Sequence, residues 1–191
     1  MRDPSCGYDA VAEAFAAARS DAGVAVVRAW AARLPRGGAV LDVGAGTGAP
    51  LTVALLSAGL DVAAIDPAPA MATRFRAQLP GIPIACEHAQ DSAFFARRFD
   101  GVLMVGVVFL VEEEAQAPLL ACLARALRPG GALLFSAPRE VGGWTDALTG
   151  LPSVSLGHAG YTAALRAAGL NLAATHTDEG GNHYYEAQRP V

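Results

Sequence analysis

A glycine-rich turn between an apolar run and a helical segment is the feature that most constrains the fold of this chain. Residues 39–43 read Ala-Val-Leu-Asp-Val and predict a buried strand, after which Gly44, Gly46 and Gly48 allow a tight turn. Pro50 suits the first turn of the helix that follows. We expect free backbone N–H groups and a positive helix end to face a polar, adenosine-like ligand here.

Length and composition indicate one globular domain over residues 1–191, of which 53% are hydrophobic and 17% charged. The 14 basic residues are all arginine, which excludes Schiff-base chemistry on lysine, and the net charge of −4 argues against nucleic-acid binding. The longest apolar run, Val102–Val111, is shorter than the roughly 20 residues of a membrane helix. No signal peptide and no metal-ligand spacing are visible, so we predict a cytoplasmic protein without a metal site.

Strand-like and helix-like segments alternate after the glycine turn. Strands are predicted at residues 61–65, 82–86, 100–108 and 132–137, and helices at residues 69–79 and 112–127. The run Arg128-Pro129-Gly130-Gly131 is interpreted as the turn that stops the second of these helices. Such alternation predicts a mostly parallel sheet covered by helices on both faces.

Both ends of the chain depart from this alternation. Near the C-terminus, residues 170–177 and 183–188 predict two strands whose short connection allows only antiparallel pairing. A helix is expected just before them, at residues 161–168. The N-terminal segment 8–35 is expected to supply two further helices.

Four segments together resemble the class I S-adenosylmethionine-dependent methyltransferases. They are Leu41–Gly48, Ile65–Met71, Phe99–Leu103 and Leu127–Gly131, each similar to one of the family's motifs. The resemblance covers roughly residue 8 to the C-terminus. It implies a Rossmann-like three-layer αβα sandwich with seven strands in the order 3-2-1-4-5-7-6, and S-adenosyl-L-methionine as cofactor.

The resemblance also implies roles for individual residues. Asp42 would orient the amino group of the cofactor, Asp66 would accept hydrogen bonds from the ribose hydroxyls, and Val105 would lie beside the sulfonium. The full set of residues expected at the cofactor is Tyr8, Asp42, Gly44, Ala45, Gly46, Asp66, Pro67, Met71, His88, Ala89, Gln90 and Val105.

The acceptor site is expected at the carboxyl ends of the strands, where three segments converge. They are the region around Tyr8, the long connection of residues 138–158 and the last hairpin turn. The residues expected to bind the acceptor are Tyr8, Trp144, Asn182 and Tyr184; Trp144 either lines that site or covers the sheet edge. Candidates for a general base are, in order, His183, His158 and Glu179. Because side chains alternate along a strand, Tyr184 must face away from His183.

The function that follows is methyl transfer to oxygen or nitrogen of a small molecule by in-line displacement, in a monomer or homodimer. Two alternatives stay open. One is an NAD(P)-dependent oxidoreductase, disfavoured because no catalytic lysine exists. The other is a non-catalytic protein that binds S-adenosylmethionine as a partner subunit.

Overall fold

A seven-stranded sheet forms the centre of the computed structural model, which describes residue 3 and residues 5–191. Its strands are β1 (Ala39–Val43), β2 (Asp61–Ile65), β3 (Ile84–Ala85), β4 (Phe99–Met104), β5 (Leu127–Ser136), β8 (Asn171–Thr177) and β9 (His183–Gln188). A separate hairpin consists of β6 (Val141–Thr145) and β7 (Pro152–Leu156). The helices are α1 (Ala12–Ala18), α2 (Val24–Ala31), α3 (Leu51–Ser57), α4 (Pro69–Gln78), α5 (Glu113–Ala126) and α6 (Gly157–Ala167).

The strand order of the sheet is β3-β2-β1-β4-β5-β9-β8. Only β9 runs antiparallel to its neighbours, while the remaining pairs are parallel. Apart from the extra hairpin, which shifts the numbering, this is the predicted order. The Rossmann-like fold with an antiparallel C-terminal pair is confirmed.

Both faces of the sheet are covered because the central strand is apolar on both sides. Every residue of β1 is buried. Leu41 packs in the cluster that α5 and α6 complete, whereas Val40 packs with α2 and α3 on the other face. The sheet is therefore the middle of three layers, and its carboxyl edge alone is left for ligands.

Several strand boundaries differ from the predictions. The third strand covers only Ile84–Ala85 of the predicted residues 82–86. The fourth strand ends at Met104 rather than at residue 108, because Gly106 adopts a φ of 75° and turns the chain away. The fifth strand already begins at Leu127, the last residue of the predicted helix, and so includes the predicted turn. Backbone hydrogen bonds between Gly130 or Gly131 and Arg189 extend the sheet here, so the C-terminal segment makes a strand of what local sequence indicates as a turn.

The β6–β7 hairpin was not expected from the sequence. Residues 138–158 were predicted as a long irregular connection, yet five residue pairs of β6 and β7 align in antiparallel register. All residues of β6 are exposed, which hides the alternation that identifies strands. None of the helices formed by the described residues has the length and apolarity required to cross a membrane.

Candidate functional site

An inner cavity of about 270 Å³ opens at the carboxyl ends of β1, β2 and β4. All residues that were expected at the cofactor line it, namely Tyr8, Asp42, Gly44, Ala45, Gly46, Asp66, Pro67, Met71, His88, Ala89, Gln90 and Val105. Residues from five separate segments thus meet around one space. Their role toward a cofactor stays a prediction.

The glycine turn contributes backbone surface rather than free donors, contrary to expectation. The N–H groups of Gly44 and Ala45 both donate to the carbonyl of Ile65, at 2.8 and 3.3 Å. The N–H of Gly46 donates to the Oδ2 atom of Asp66 at 2.8 Å. The turn is tied to the end of β2, so the predicted free N–H groups are absent at these three residues.

Gly44 must be glycine for two reasons. Its φ is 67°, and a Cβ atom at this position would lie 2.3 Å from Cγ2 of Val107. The left-handed conformation and the tight contact together bring β1 close to the loop after β4. This close approach narrows the inner cavity at its base.

The Asp66 carboxylate connects the glycine turn with the start of α4. Besides Gly46, it accepts the N–H of Ala68 at 2.9 Å, and its side chain is buried. Burial raises its pKa, although both hydrogen bonds oppose this effect. Each oxygen accepts one backbone bond and keeps further acceptor capacity, which suits a ligand with hydroxyl groups.

Asp42 is the second buried carboxyl of the inner cavity. Its Oδ2 atom accepts the hydroxyl of Thr52 at 2.6 Å. Burial raises the pKa of Asp42 to about 6, against the opposing influence of Thr52 and of the positive charge of Arg19. Near neutral pH the carboxylate is therefore ionised although burial disfavours its charged form, and a cationic ligand group nearby would stabilise it.

The inner cavity also has lining residues that were not expected at the cofactor, among them Phe15, Arg19, Glu87 and Asp146. Phe15 and Arg19 lie four positions apart near the end of α1, and the guanidinium of Arg19 lies 5.4 Å from the ring centroid of Phe15. Glu87 precedes the predicted adenine segment. The helical spacing of Phe15 and Arg19 was a usable signal. Asp146 comes from the turn of the β6–β7 hairpin and was expected only as part of the acceptor-side connection of residues 138–158.

An outer cavity of about 600 Å³ adjoins the inner one. The residues that line both are Arg19, Val105, Gly106, Phe109 and Asp146. Trp144, Asn182, His183 and Tyr184 line the outer cavity as expected, and Arg139 and Glu140 line it in addition. Tyr8 lines only the inner cavity, where its hydroxyl donates to Asp146 at 3.1 Å.

Trp144 forms part of the wall between the hairpin and the sheet. Its ring packs against Phe109 with centroids 5.2 Å apart, and the residue stays 38% exposed. Because Phe109 lines both cavities, this aromatic pair stands where they join. Of the two interpretations of Trp144, the structure favours cavity wall over edge cover.

The last hairpin turn is organised by Asp178. This buried carboxylate accepts the backbone N–H groups of Gly180 and Asn182, the Asn182 side-chain amide and, at 3.0 Å, the hydroxyl of Tyr184. Although burial alone would raise the pKa of Asp178, the bonds from Asn182 and its neighbours hold it below the ordinary value. The hydroxyl of Tyr184 is thus already engaged and its ring is buried in the core cluster with Val27 and Trp30, so its contact with an acceptor stays a prediction.

The three candidate bases are placed very differently. His183 is buried at the edge of the outer cavity, and neither ring nitrogen has a hydrogen-bond partner. Burial and the nearby Arg139 lower its pKa, so the imidazole is neutral at neutral pH. His158, at the start of α6, and the exposed Glu179 line neither cavity. The prediction that they contact an acceptor is therefore not supported, because α6 and the hairpin turn carry them outward.

Sequence comparison matches residues 40–131 to the family model described as a methyltransferase domain. Uncharacterized methyltransferases of Mycobacterium bovis and Mycobacterium tuberculosis are 38% identical over 111 residues. The match covers 57% of this chain and 44% of each relative, so the chain aligns with less than half the length of those proteins.

Solved structures resemble the whole chain. The CcbJ methyltransferase of Streptomyces caelestis aligns with a TM-score of 0.80 and 16% identity, covering 100% of both chains. A 1,6-didemethyltoxoflavin-N1-methyltransferase of Burkholderia thailandensis, solved with 1,6-didemethyltoxoflavin and S-adenosylhomocysteine, aligns with a TM-score of 0.73 and 21% identity. It covers 100% of this chain and 92% of its own. At such low identity these likenesses show the fold.

Proposed function

We propose that this chain, in which residues 40–131 match a methyltransferase domain, is a class I methyltransferase that transfers a methyl group from S-adenosylmethionine to oxygen or nitrogen of a small molecule. The observation that carries the proposal is the junction of the two cavities at Val105, Gly106 and Phe109. One cavity has the lining expected for the cofactor. The other is open to a second molecule and meets the first at the end of β4.

The inner cavity suits S-adenosylmethionine in the order of its chemical groups. Asp66 offers carboxylate oxygens to the ribose hydroxyls, while Pro67 and Met71 give apolar surface for adenine. Arg19 and Asp42 offer opposite charges to the carboxylate and amino group of the methionine part. The cofactor supplies a methyl group that is electrophilic because it is bonded to a sulfonium.

The chain's own contribution is alignment, exclusion of water and removal of a proton. Phe109 and Trp144 cover the junction with aromatic surface, which favours a dry contact between the two reactants. His183 is neutral at neutral pH and can accept the proton that an O–H or N–H acceptor loses. The relative from Burkholderia, which was solved with a small heteroaromatic acceptor, is consistent with an acceptor of this size.

Calorimetric titration of the purified protein with S-adenosylmethionine, S-adenosylhomocysteine and NADH tests the cofactor. We expect binding of the first two and none of NADH; binding of NADH alone would refute the proposal. A second experiment incubates the protein with methyl-labelled S-adenosylmethionine and a panel of phenols, amines and carboxylates. Transfer that is lost in Asp66→Ala and retained in Asp100→Asn, a change at the opposite end of the sheet, would support it.

A further inference from the structure

A cluster of unpaired polar atoms lies behind the outer cavity. Among the described residues, six buried side-chain nitrogen or oxygen atoms have no hydrogen-bond partner. Four of the six belong to Tyr185 and the two histidines that pack against its ring: both ring nitrogens of His183, the hydroxyl of Tyr185 and Nδ1 of His158. Buried polar groups are paired in nearly all proteins, so such a concentration in one place calls for a reason.

Tyr185 is the centre of this cluster. Its ring lies edge-on to His183 with centroids 4.8 Å apart, and nearly parallel to His158 at 5.7 Å. Phe135 and Tyr161 hold the ring from its other sides, and Tyr185 is fully buried. The two imidazoles are thus ring neighbours of Tyr185 that carry unpaired nitrogens beside its unpaired hydroxyl.

The three residues span the distance from the cavity to the surface. His183 lines the outer cavity, Tyr185 has no exposure, and His158 lies at the start of α6 with only part of its side chain buried. Its Nδ1 atom is buried without a partner, whereas Nε2 is not among the buried atoms without a partner. The Tyr185 hydroxyl has no hydrogen-bond partner of its own, and Tyr161, Arg139 and Glu140 are the other titratable or charged groups that act on it.

We propose that Tyr185 is a positioning residue for His183, and that it links His183 to His158 as one hydrogen-bonded relay. One nitrogen of His183 carries a proton and donates it to the Tyr185 oxygen, which turns the other, unprotonated nitrogen toward the outer cavity. The Tyr185 hydroxyl in turn donates to Nδ1 of His158. This inference rests on the proposed function, because it gives the base a fixed tautomer and an exit for the proton.

The relay balances when an acceptor is methylated. As the acceptor atom gains the methyl group, its proton passes to the free nitrogen of His183. The proton on the other nitrogen moves to Tyr185, the hydroxyl proton of Tyr185 moves to Nδ1 of His158, and the Nε2 proton of His158 leaves to water. One proton enters and one leaves, and the relay is reset when the imidazoles return to their first tautomers.

Nitrogen-15 NMR of the histidine rings tests the relay in the protein alone, without cofactor or acceptor. In Tyr185→Phe we expect the titration midpoint of His183 to fall by about half a pH unit or more, because its protonated form loses an acceptor. The Nδ1–H tautomer of His158 should increase, because the unprotonated Nδ1 atom loses its donor. The charges of Arg139, Glu140 and His176 also affect the pKa of His183, and these three residues are the same in both proteins.

Tyr161→Phe is the matched control, since the Tyr161 hydroxyl donates to Gln116 although its ring touches Tyr185. It should leave the His183 midpoint and the His158 tautomer in place. An unchanged His183 midpoint in Tyr185→Phe, or an equal change in both variants, would overturn the proposal. If Tyr185→Phe does not fold, His158→Phe serves as the second variant, because phenylalanine keeps a ring stacked on Tyr185. An unaltered His183 tautomer in that variant would also overturn the proposal. Because no cofactor is present, this result is independent of the calorimetric test of the proposed function.

Discussion

Replacing Asp66 by asparagine separates the role of this carboxylate in folding from its role in binding. The side chain keeps its shape but loses its charge and one of its two acceptor atoms. In the wild type the two oxygens accept the N–H groups of Gly46 and Ala68 at 2.8 and 2.9 Å. The amide can satisfy one of them, so we expect the free energy of unfolding to fall by about 1–3 kcal/mol.

The affinity for S-adenosylhomocysteine should fall further than stability alone explains. Two ribose hydroxyls that donate to a carboxylate contribute about 1.5–3 kcal/mol each, and asparagine retains part of this. A loss of about 3 kcal/mol corresponds to a Kd raised roughly a hundredfold. Calorimetric titration measures the affinity, and urea unfolding of the same preparation measures the stability.

Asp100→Asn is the control for this experiment. Asp100 also accepts a backbone N–H, that of Ala39 at 2.8 Å, and it pairs with Arg128 at the amino end of the sheet, away from both cavities. We expect its affinity for S-adenosylhomocysteine to stay within about threefold of the wild type. A folded Asp66→Asn protein with unchanged affinity, or an equal loss in Asp100→Asn, would refute the reasoning.

Three further predictions concern the cavities. In Asp42→Asn the pH dependence of stability should change. Burial raises the pKa of Asp42 in the folded wild type to about 6, so the folded protein holds this proton more tightly than the unfolded chain does. The free energy of unfolding of the wild type therefore falls as pH rises from 4 to 6. Urea unfolding should therefore show the variant gaining about 2–3 kcal/mol on the wild type between pH 4 and 7, and a constant difference would contradict this. In Gly44→Ala the free energy of unfolding should fall by about 2–4 kcal/mol, because the new Cβ adds a steric clash to the strain of a left-handed backbone. Gly37→Ala is the control: Gly37 has the same φ of 67° and open space around its Cβ, so the free energy of unfolding should fall by only about 1–2 kcal/mol. Similar losses in both variants would argue against the clash. Once an acceptor is known, His183→Ala should lower kcat while the affinity for S-adenosylhomocysteine stays within about threefold of the wild type. The wild-type rate should fall only below pH 6.5, because the pKa of His183 is lowered. Equal turnover in the variant would show that His183 is not the base.

Local sequence predicted well which residues meet in the inner cavity. The glycines after β1 and the carboxylate after β2 act through residues close in sequence, and the sheet topology brings them together. The residues expected at the cofactor therefore line one cavity. Sequence alone did not reveal that the N–H groups of Gly44, Ala45 and Gly46 already donate hydrogen bonds. Their acceptors, Ile65 and Asp66, lie at the end of another strand.

The acceptor side was harder to predict because its elements are exposed or depend on distant contacts. All residues of β6 are exposed, so no alternation of buried apolar and exposed polar residues identifies the strand in the sequence. Asp146 and Arg139 reach the cavities only through this hairpin and the chain leading into it. The alternation of His183 and Tyr184 was predictable, since it depends only on strand geometry; the packing of Tyr185 edge-on to His183 and parallel to His158 was not.

The β6–β7 hairpin is a separable part of the fold. Its strands pair only with each other, and the sheet that carries the glycine turn is complete without them. Its hydrogen bonds to the rest of the fold include that from the Gln116 amide to the carbonyl of Val154 and that from the Tyr8 hydroxyl to Asp146. Exchange of residues 141–156 for another hairpin of the same length would alter the wall of the outer cavity and the Asp146 corner of the inner one, and leave Asp66 and the glycine turn in place. Under the proposed function, acceptor range in this architecture can diverge by loop grafting, in evolution or in the laboratory, while the turn and the carboxylate of the inner cavity stay unchanged.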